Sequence, residues 1–497
     1  MAKALLKTHT AAAIFSLQTV NLKAPIRPSV VLLTILVVVS TGCIAARRDP
    51  NLQQIFSSAR ATTGKPPVII IPGILGSELI NPKTKETVWP TPFRTAQEGL
   101  PMNPDLSMNT DDLVPGKIVE TVKLAKLLPE VYVYRDLLDA LRRHVGYRDG
   151  NWETPAVDGD RDTFYVYAYD WRKDNVANAR ELVKRIARLK EKLGRPDLRF
   201  NVVAHSMGGL IARYAAMYGD ADLSNTDEKI QPTWAGAVHI NKIVMIGVPN
   251  EGSADAFATL LEGYSITEGL RRRVPLLNKL TAEDAVSTPA VFQLLPHREA
   301  VRFLGENLQP IEIDLYDAAI WRRYGWSPIH DAGFRRRFSE SREERLGNGF
   351  AHDKLTSLDL YLENTLKRTR RFHDALDAAG PSQSPVMLLA IGGDCEETLN
   401  SPVILRDEKH SRWITLTRPR EYRSTTGVKY SKRQVTEAMY APGDGRVTRA
   451  SLLGMAGNSV NLSLAYAVFG CDLHGQLQRN KTLQDNALSA IVAEVMR

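Results

Sequence analysis

The stretch that most constrains the fold is residues 201–209, Asn-Val-Val-Ala-His-Ser-Met-Gly-Gly. It begins with an apolar run typical of a buried strand, and a helical pattern of apolar residues follows directly. Ser206 lies at the junction, with Ala204 two residues before it and Gly208 two residues after it. A strand–turn–helix junction this tight needs small residues at both positions, and it lifts the serine oxygen clear of the sheet. The stretch therefore predicts a nucleophile elbow; the alternative is an ordinary Gly-rich turn.

Apolar runs typical of strands recur on both sides of this junction, and helical patterns separate several of them. The four residues Val68 to Ile71 are all β-branched, as in a parallel strand buried on both faces. Strand–helix alternation predicts an α/β fold with a doubly wound, mostly parallel sheet, of the α/β-hydrolase type. The other predicted strands are 163–168, 242–246, 386–391 and 462–469. The predicted helices are 134–144, a helix capped by Asn175 and closed by Gly194, and 483–495.

The alternation stops between about residues 254 and 384, where the pattern is helical, polar and rich in arginine. An insertion at this point of the fold falls on the side of the sheet that carries the active site, so it is predicted to be a cap or lid. A peripheral helical subdomain is the alternative. We expect residues 66–497 to form one α/β-hydrolase domain with this insertion, because such domains reach this length. Residues 82–126 have no clear pattern.

The N-terminus is predicted to be an export signal covering residues 1–45. Basic residues precede an apolar run at 30–39, and Ser-Thr-Gly-Cys follows, which is the order typical of such signals. Cys43 is a candidate for lipidation at a lipoprotein cleavage site, although Ser40 departs from the usual larger aliphatic residue. The alternative is an uncleaved membrane anchor. Residues 46–65 are predicted to be a polar linker, and the protein is expected in the cell envelope, as a lipoprotein or periplasmic protein, or secreted.

Composition narrows the possible partners. The net charge is +8, but the basic residues occur in short scattered runs without a nucleic-acid-binding motif, so no nucleic-acid partner is expected. Three cysteines exclude a disulfide-dense scaffold. No pattern of metal ligands and no dinucleotide- or phosphate-binding glycine pattern is present, so neither a metal nor a cofactor is predicted.

A serine nucleophile requires a general base, and the base requires an acid that orients it. In the α/β-hydrolase fold these follow one another as serine, acid and histidine. Among the histidines after Ser206, only His474 lies in a turn beyond the last apolar strand. Asp444, between two glycines, is the preferred acid, and Asp394, directly after a strand, competes with it. His205 is set aside because the backbone next to the nucleophile directs its side chain elsewhere.

The loop after the first strand reads Pro-Gly-Ile-Leu-Gly-Ser from Pro72 to Ser77. Glycines directly after a central strand let the backbone approach a ligand closely. The backbone N–H of Ile74 is therefore assigned to an oxyanion hole, together with that of Met207, the residue after the nucleophile. A plain turn is the alternative for Ile74.

Together these motifs resemble the lecithin:cholesterol acyltransferase family, which includes lysosomal phospholipase A2 and phospholipid:diacylglycerol acyltransferases. The resemblance implies an α/β-hydrolase core with a cap and a membrane-apposed subdomain. It also implies Ser206, Asp444 and His474 as the triad. Residues 304–371 have no recognised counterpart. The motifs are, in family order, Pro72 to Ser77, the helix leading to Gly146-Tyr147, Tyr169-Asp170-Trp171-Arg172, Ala204 to Gly209, Gly247 to Ser253, the Gly443-Asp444-Gly445 loop and His474-Gly475.

The family's lid disulfide has no visible match in this sequence. Cys395 and Cys471 both lie just past late strands, and they could pair after export or remain buried thiols.

The predicted function is serine-dependent acyl transfer or hydrolysis on lipid esters, as in a phospholipid acyltransferase, phospholipase A or lipase. A lipid or ester substrate and a membrane surface are the expected partners, and the oligomeric state stays open. Two alternatives remain. One is a carboxylesterase, thioesterase or polyester depolymerase that acts on non-lipid esters. The other is a catalytically inactive, envelope-anchored binding protein.

Overall fold

The computed structural model describes most of the chain after residue 48. The predicted export signal and Cys43 lie outside the described residues. Within the described part, no helix combines the length and apolar character needed to span a bilayer. The described residues are 49–91, 113–122, 131–223, 231–265, 279–298, 301–336, 351–379, 384–454 and 464–493.

A seven-stranded sheet lies at the centre of the described structure, and all of its neighbouring strands are parallel. The order is β7-β6-β5-β4-β1-β3-β2: the chain moves outwards from β4 to β7 on one side, whereas on the other side it forms the edge strand β2 before β3, which pairs with β1. This doubly wound sheet confirms the predicted α/β-hydrolase fold class. The strands are β1 Val68–Ile71, β2 Arg148–Asp149, β3 Thr163–Val166, β4 Phe200–His205, β5 Ile240–Ile246, β6 Met387–Gly393 and β7 Leu464–Gly470.

The two central strands are buried on both faces. Ile69 and Ile71 of β1 belong to one hydrophobic core, whereas Val68 and Ile70 belong to a second core. Successive side chains of a strand point to opposite faces, so the two cores lie on the two sides of the sheet. A continuous β-branched run is suited to this position, because every side chain in it is buried.

In the ranges described above, six longer helices flank the strands. The predicted helices at 134–144 and 483–495 are confirmed within a few residues at each end. The helix predicted to be capped by Asn175 is capped instead by Asp174, whose carboxylate accepts the N–H of Ala177 at 3.1 Å. Asn175 is the first residue of that helix and is buried. The six are α1 Arg135–Arg143, α2 Asn175–Lys192, α3 Met207–Tyr218, α4 Ala254–Glu262, α5 Ala351–Asp377 and α6 Lys481–Val492.

Shorter elements fill the connections between the strands and helices. The short helices and 3-10 turns are Leu52–Ile55, Ser57–Ala61, Ala235–Val238, Ala282–Val286, Pro289–Phe292, Ala318–Tyr324, Pro328–His330, Glu408–His410, Lys432–Met439, Arg449–Leu453 and His474–Arg479. The small antiparallel pairings are Ser77–Ile80 with Thr87–Trp89 and Val114–Ile118, Thr121–Val122 with Val131–Tyr132, Tyr264–Ser265 with Lys279–Leu280, Phe303–Leu304 with Pro310–Ile311, Val403–Asp407 with Arg412–Leu416, Glu396–Leu399 with Tyr440–Gly443, and Tyr422–Arg423 with Lys429–Tyr430. Part of the unassigned region 82–126 therefore forms a small sheet beside the loop after β1.

The segment predicted to be a polar linker, residues 46–65, contains two short helices in the structure. Leu52, Phe56 and Ala59 are buried there and join the core that also contains residues of α1 and α6. Leu52 lies in the first helix, Phe56 at the junction and Ala59 in the second, and their burial orders the segment against the domain. The compact unit that contains the sheet therefore includes these two short helices and starts at Pro50.

Candidate active site

Ser206 lies in a strained turn between β4 and α3. Its backbone has φ 52° and ψ −128°, a conformation that few non-glycine residues adopt. The N–H of Ser206 donates to the carbonyl of Ile246 at 2.8 Å, which ties the turn to the end of β5. This strained strand–turn–helix geometry is that of a nucleophile elbow.

The small residues around the serine are required by close packing. A Cβ on Gly208 would stand 2.5 Å from the carbonyl oxygen of Pro72, and one on Gly209 would stand 2.1 Å from a methyl of Val248. Neither distance can be accommodated without moving the backbone or the core. The start of α3 therefore packs directly on the loops that follow β1 and β5.

The structure brings the predicted base and acid to this serine. The Nε2 of His474 is 2.9 Å from the Oγ of Ser206, and its Nδ1 is 2.8 Å from Oδ2 of Asp444. The other oxygen of Asp444 accepts the N–H groups of Arg446 at 3.0 Å and Val447 at 2.7 Å. Asp444 is buried, so these bonds replace the water that its carboxylate would otherwise bind.

Asp394, the competing acid, is placed differently. Its carboxylate faces Arg449 at 3.8 Å, and its side chain is about one-third exposed. The ring nitrogens of His474 are already bonded to Asp444 and Ser206. The geometry thus favours Asp444 over Asp394 as the orienting carboxylate.

The loop after β1 lies against the serine. The N–H of Gly73 is occupied, since it donates to the hydroxyl of Tyr134 at 2.7 Å. Ile74, the next residue, lines the cavity beside Ser206. Met207 is the first residue of α3, where a backbone N–H has no partner within the helix. This arrangement suits the two assigned donors, whose role in an oxyanion hole remains a prediction.

The Tyr-Asp-Trp-Arg motif, residues 169–172, forms hydrogen bonds to both ends of the loop after β1, residues 72–77. The hydroxyl of Tyr169 donates to the carbonyl of Pro72 at 2.8 Å, and the indole N–H of Trp171 donates to the carbonyl of Ser77 at 3.1 Å. Between them, Asp170 and Arg172 form a buried ion pair at 2.8 Å. The motif therefore acts as a support for the loop.

The motif after β5 supports the acid loop in a similar way. The amide of Asn250 donates to the carbonyl of Leu452 at 2.6 Å, and the hydroxyl of Ser253 donates to the carbonyl of Arg446. Arg446 also pairs with Asp255 at 2.7 Å. These contacts fix the loop that presents Asp444.

His205 is the residue that sequence reasoning missed. Its side chain does not bond to Ser206, as expected, but it lies beside the base: its Nε2 is 3.2 Å from the backbone carbonyl of His474. Its Nδ1 is 2.8 Å from the hydroxyl of Tyr134. Burial, followed by the neighbouring His474, lowers the pKa of His205 to about 3. A histidine directly before the nucleophile was the available signal, but only the fold shows its partners.

Cys395 and Cys471 form a disulfide with Cα atoms 5.3 Å apart, so the first of the two expectations for these cysteines is met. The bond joins the loop after β6 to the loop after β7, three residues before His474. In the described part of the chain, the one group at metal-ligand spacing consists of these two cysteines and Glu396. The bonded sulfurs are not available there as thiolates.

A cavity of about 510 Å³ opens beside Ser206 and His474. Its apolar lining comes from the loop after β1, from the small antiparallel strands between residues 77 and 132 and the residues next to them, and from the turn before His474. Of the described part of the predicted insertion, Tyr264 reaches this cavity. Elsewhere the insertion packs on α3, where the hydroxyl of Tyr218 donates to the carbonyl of Ala375 at 2.8 Å. A lid role for the insertion stays a prediction. Apolar lining residues include Ile74, Leu75, Trp89, Val119, Val133 and Leu473.

Comparisons with solved structures give low similarity. The chain in the Tle4–Tli4 complex has a TM-score of 0.48 and 14% identity, covering 86% of this chain and 98% of that one. Mature lipase BlEst2 of Bacillus licheniformis has a TM-score of 0.30 and 11% identity, covering 87% and 92%. EstA of Clostridium botulinum has a TM-score of 0.29 and 13% identity, covering 86% and 87%. No curated protein sequence matches the chain.

The model of one protein family matches part of the chain, residues 117–336. This segment contains the Tyr-Asp-Trp-Arg motif, Ser206 and the motif after β5, whereas Asp444 and His474 lie beyond it. The match supports an ester-acting hydrolase or acyltransferase in general terms. The match also covers residues 304–336, so the expectation that residues 304–371 lack a counterpart is wrong for that part. The family is lecithin:cholesterol acyltransferase, and the resemblance predicted from the sequence is thereby confirmed over residues 117–336.

Proposed function

We propose that this protein is a serine-dependent enzyme that transfers the acyl group of a lipid ester to water or to an alcohol. The observation that carries the proposal is the pair of hydrogen bonds that connects Ser206 to His474 and His474 to Asp444 at the edge of a cavity. Structural serines also accept hydrogen bonds, but an imidazole between a serine hydroxyl and a buried carboxylate is the arrangement that activates a nucleophile.

The reaction follows from this geometry. His474 takes the proton of Ser206 as Oγ attacks the ester carbonyl, and Asp444 stabilises the imidazolium that forms. The N–H groups of Ile74 and Met207 are proposed to bind the oxyanion of the tetrahedral intermediate. His474 then gives its proton to the leaving alcohol, and an acyl-enzyme remains. Water or a second alcohol, deprotonated by His474, releases the acyl group.

Two features support a lipid ester as the substrate. The family match is to an acyltransferase of lipid esters, and the cavity beside the serine has a continuous apolar part next to charged residues such as Glu396 and Arg479. Leu473, directly before the base, is 46% exposed. A large apolar side chain exposed at the edge of a catalytic cavity is suited to contact acyl chains or a lipid surface.

The expected export of the protein is retained as part of this proposal. A disulfide between Cys395 and Cys471 is suited to an oxidising compartment such as the bacterial envelope. Lipidation at Cys43 would anchor the enzyme at a membrane, where its substrate is located. Mass spectrometry of the mature N-terminus, with Cys43→Ala as the control, tests this part.

The substrate class is tested by comparing the same ester below and above its critical micelle concentration. We expect turnover to rise at the interface, and mixed phospholipid–sterol vesicles to yield lysophospholipid, with or without acylated alcohol. Equal turnover of short soluble esters with no gain at the interface would favour a carboxylesterase. No turnover and no labelling of Ser206 by a fluorophosphonate would favour an inactive binding protein.

A further inference from the structure

A row of hydrogen bonds connects the loop after β1 to the catalytic base, and no step of the proposed reaction uses it. It starts at the N–H of Gly73, which donates to the hydroxyl of Tyr134 at 2.7 Å. The same hydroxyl is 2.8 Å from Nδ1 of His205, and Nε2 of His205 is 3.2 Å from the carbonyl oxygen of His474. Both linking side chains are buried, Tyr134 at 2% and His205 at 6% exposure.

The direction of each bond in this row is fixed by its ends. A carbonyl oxygen only accepts, so Nε2 of His205 carries the proton and donates to His474. Nδ1 of the neutral ring is then an acceptor, and the hydroxyl of Tyr134 donates to it. Since that hydroxyl also accepts from Gly73, both of its hydrogen-bonding roles are used. A single tautomer of a neutral His205 satisfies the whole row.

We propose that Tyr134 and His205 are positioning residues that set the distance between the catalytic base and the loop bearing the Ile74 donor. The base is held at three points: its N–H donates to the carbonyl of Asp444 at 2.8 Å, Nδ1 faces the carboxylate, and its carbonyl accepts from His205. The first two contacts come from the acid loop alone. Apart from the bond to Ser206 itself, the third is the hydrogen bond of His474, among those of the described residues, that reaches the other side of the serine.

This positioning role rests on the proposed serine chemistry, and it predicts a kinetic effect rather than a binding effect. The base and the oxyanion donors act mainly in the transition state, so a small displacement lowers kcat and leaves KM for a short ester nearly unchanged. The loss of one hydrogen bond, or the displacement of a catalytic group by about 1 Å, typically lowers kcat by roughly 10- to 100-fold. The hydrogen bonds of Tyr134 and His205 in this row involve neither the hydroxyl of Ser206 nor the ring nitrogens of His474.

Three substitutions separate positioning from folding. Tyr134→Phe removes the hydroxyl and keeps the ring. His205→Gln keeps a donor near the place of Nε2, whereas His205→Asn is too short to reach the carbonyl of His474. Tyr167→Phe is the matched control, because the buried hydroxyl of Tyr167 donates to the carbonyl of Asn178 at 2.7 Å, away from the row. All four full-length variants are compared by melting temperature, kcat and KM on a short p-nitrophenyl ester, and the rate of fluorophosphonate labelling.

We expect Tyr134→Phe and His205→Asn to lose 10- to 100-fold in kcat and in labelling rate, and His205→Gln to recover part of the loss. The double variant Tyr134→Phe/His205→Asn should lose no more than the worse single variant, because both break one row. Additive losses, or a kcat for Tyr134→Phe equal to that of Tyr167→Phe, overturn the positioning role. An inactive, unlabelled wild-type protein overturns the proposed function itself, and the positioning role with it.

Discussion

Gly73 lies so close to Ser206 that a Cβ at Gly73 would stand 2.8 Å from the Cβ of the serine. The same added atom would be 3.2 Å from Nδ1 of His205. A methyl group at this position must therefore displace the loop that carries Ile74. We expect Gly73→Ala to lower kcat about 100-fold, as for the loss of one oxyanion donor.

The measurement for Gly73→Ala is steady-state turnover of a soluble ester, together with the melting temperature. Wild-type kcat in a variant that folds normally would show that the oxyanion donors do not depend on this contact.

The assignment of the acid predicts opposite results for two aspartates. Asp444→Asn should lower kcat about 10,000-fold, because an amide favours the wrong tautomer of the base. Asp394→Asn is the matched control. The carboxylate of Asp394 faces Arg449 at the surface, so its removal should leave turnover near that of the wild-type protein. Reversed effects in the same ester assay would identify Asp394 as the acid.

The disulfide predicts a linked loss of stability and activity. Its loop spans 76 residues, and removing such a crosslink typically costs about 2–4 kcal/mol of unfolding free energy. Cys395→Ser, Cys471→Ser and the double variant should lose similar stability, measured by urea denaturation. Turnover should also fall, because the bond fixes the loop leading to His474.

Reduction of the wild-type protein with dithiothreitol should lower the free energy of unfolding and the turnover by amounts similar to those in the cysteine variants. The same treatment should have no effect on the double variant. An undiminished free energy of unfolding in the double variant contradicts a structural role for this bond.

The low pKa of His205 predicts acid sensitivity with a defined sign. In the folded protein this pKa is about 3, against about 6.5 for an unperturbed histidine, so mainly the unfolded chain binds the proton between those pH values. Stability is therefore fully present above pH 6.5 and falls as the pH drops toward 3, by at most about 1.4 kcal/mol per pH unit from this group. His239, with a pKa lowered to about 4 by burial, acts in the same direction.

Urea denaturation at several pH values between 4 and 7 measures this slope. His205→Gln should show a shallower slope than the wild-type protein, whatever its stability at pH 7. Identical slopes would mean that His205 is not kept neutral by its surroundings, which include Tyr134, His474 and Asp444.

Much of the core and of the site could be predicted from local pattern. The β-branched run of β1 and the small residues around Ser206 have few other structural uses. Chain order, together with the turn that carries His474 and the glycines around Asp444, selected His474 and favoured Asp444. The support around them could not be predicted in this way. Tyr134 and His205 are 71 residues apart, and their bond exists only because α1 begins beside the elbow.

The short helices could not be predicted from the sequence for a different physical reason. Residues 52–61 form helices of four and five residues, too short to show a repeated pattern, and tertiary burial of Leu52 and Phe56 orders them. The helix cap at Asp174 was missed because Asn175 is an equally good capping residue. Asp174 caps the helix because its carboxylate also accepts hydrogen bonds from Arg368 and Gln293.

The measurement that tests the central claim most directly is active-site labelling of the full chain with a fluorophosphonate, followed by peptide mass spectrometry. The account predicts one modified residue, Ser206, and a Ser206→Ala variant that folds normally, takes up no label and has no measurable ester turnover. Labelling of another residue, or turnover in Ser206→Ala comparable to that of the wild-type protein, would contradict it.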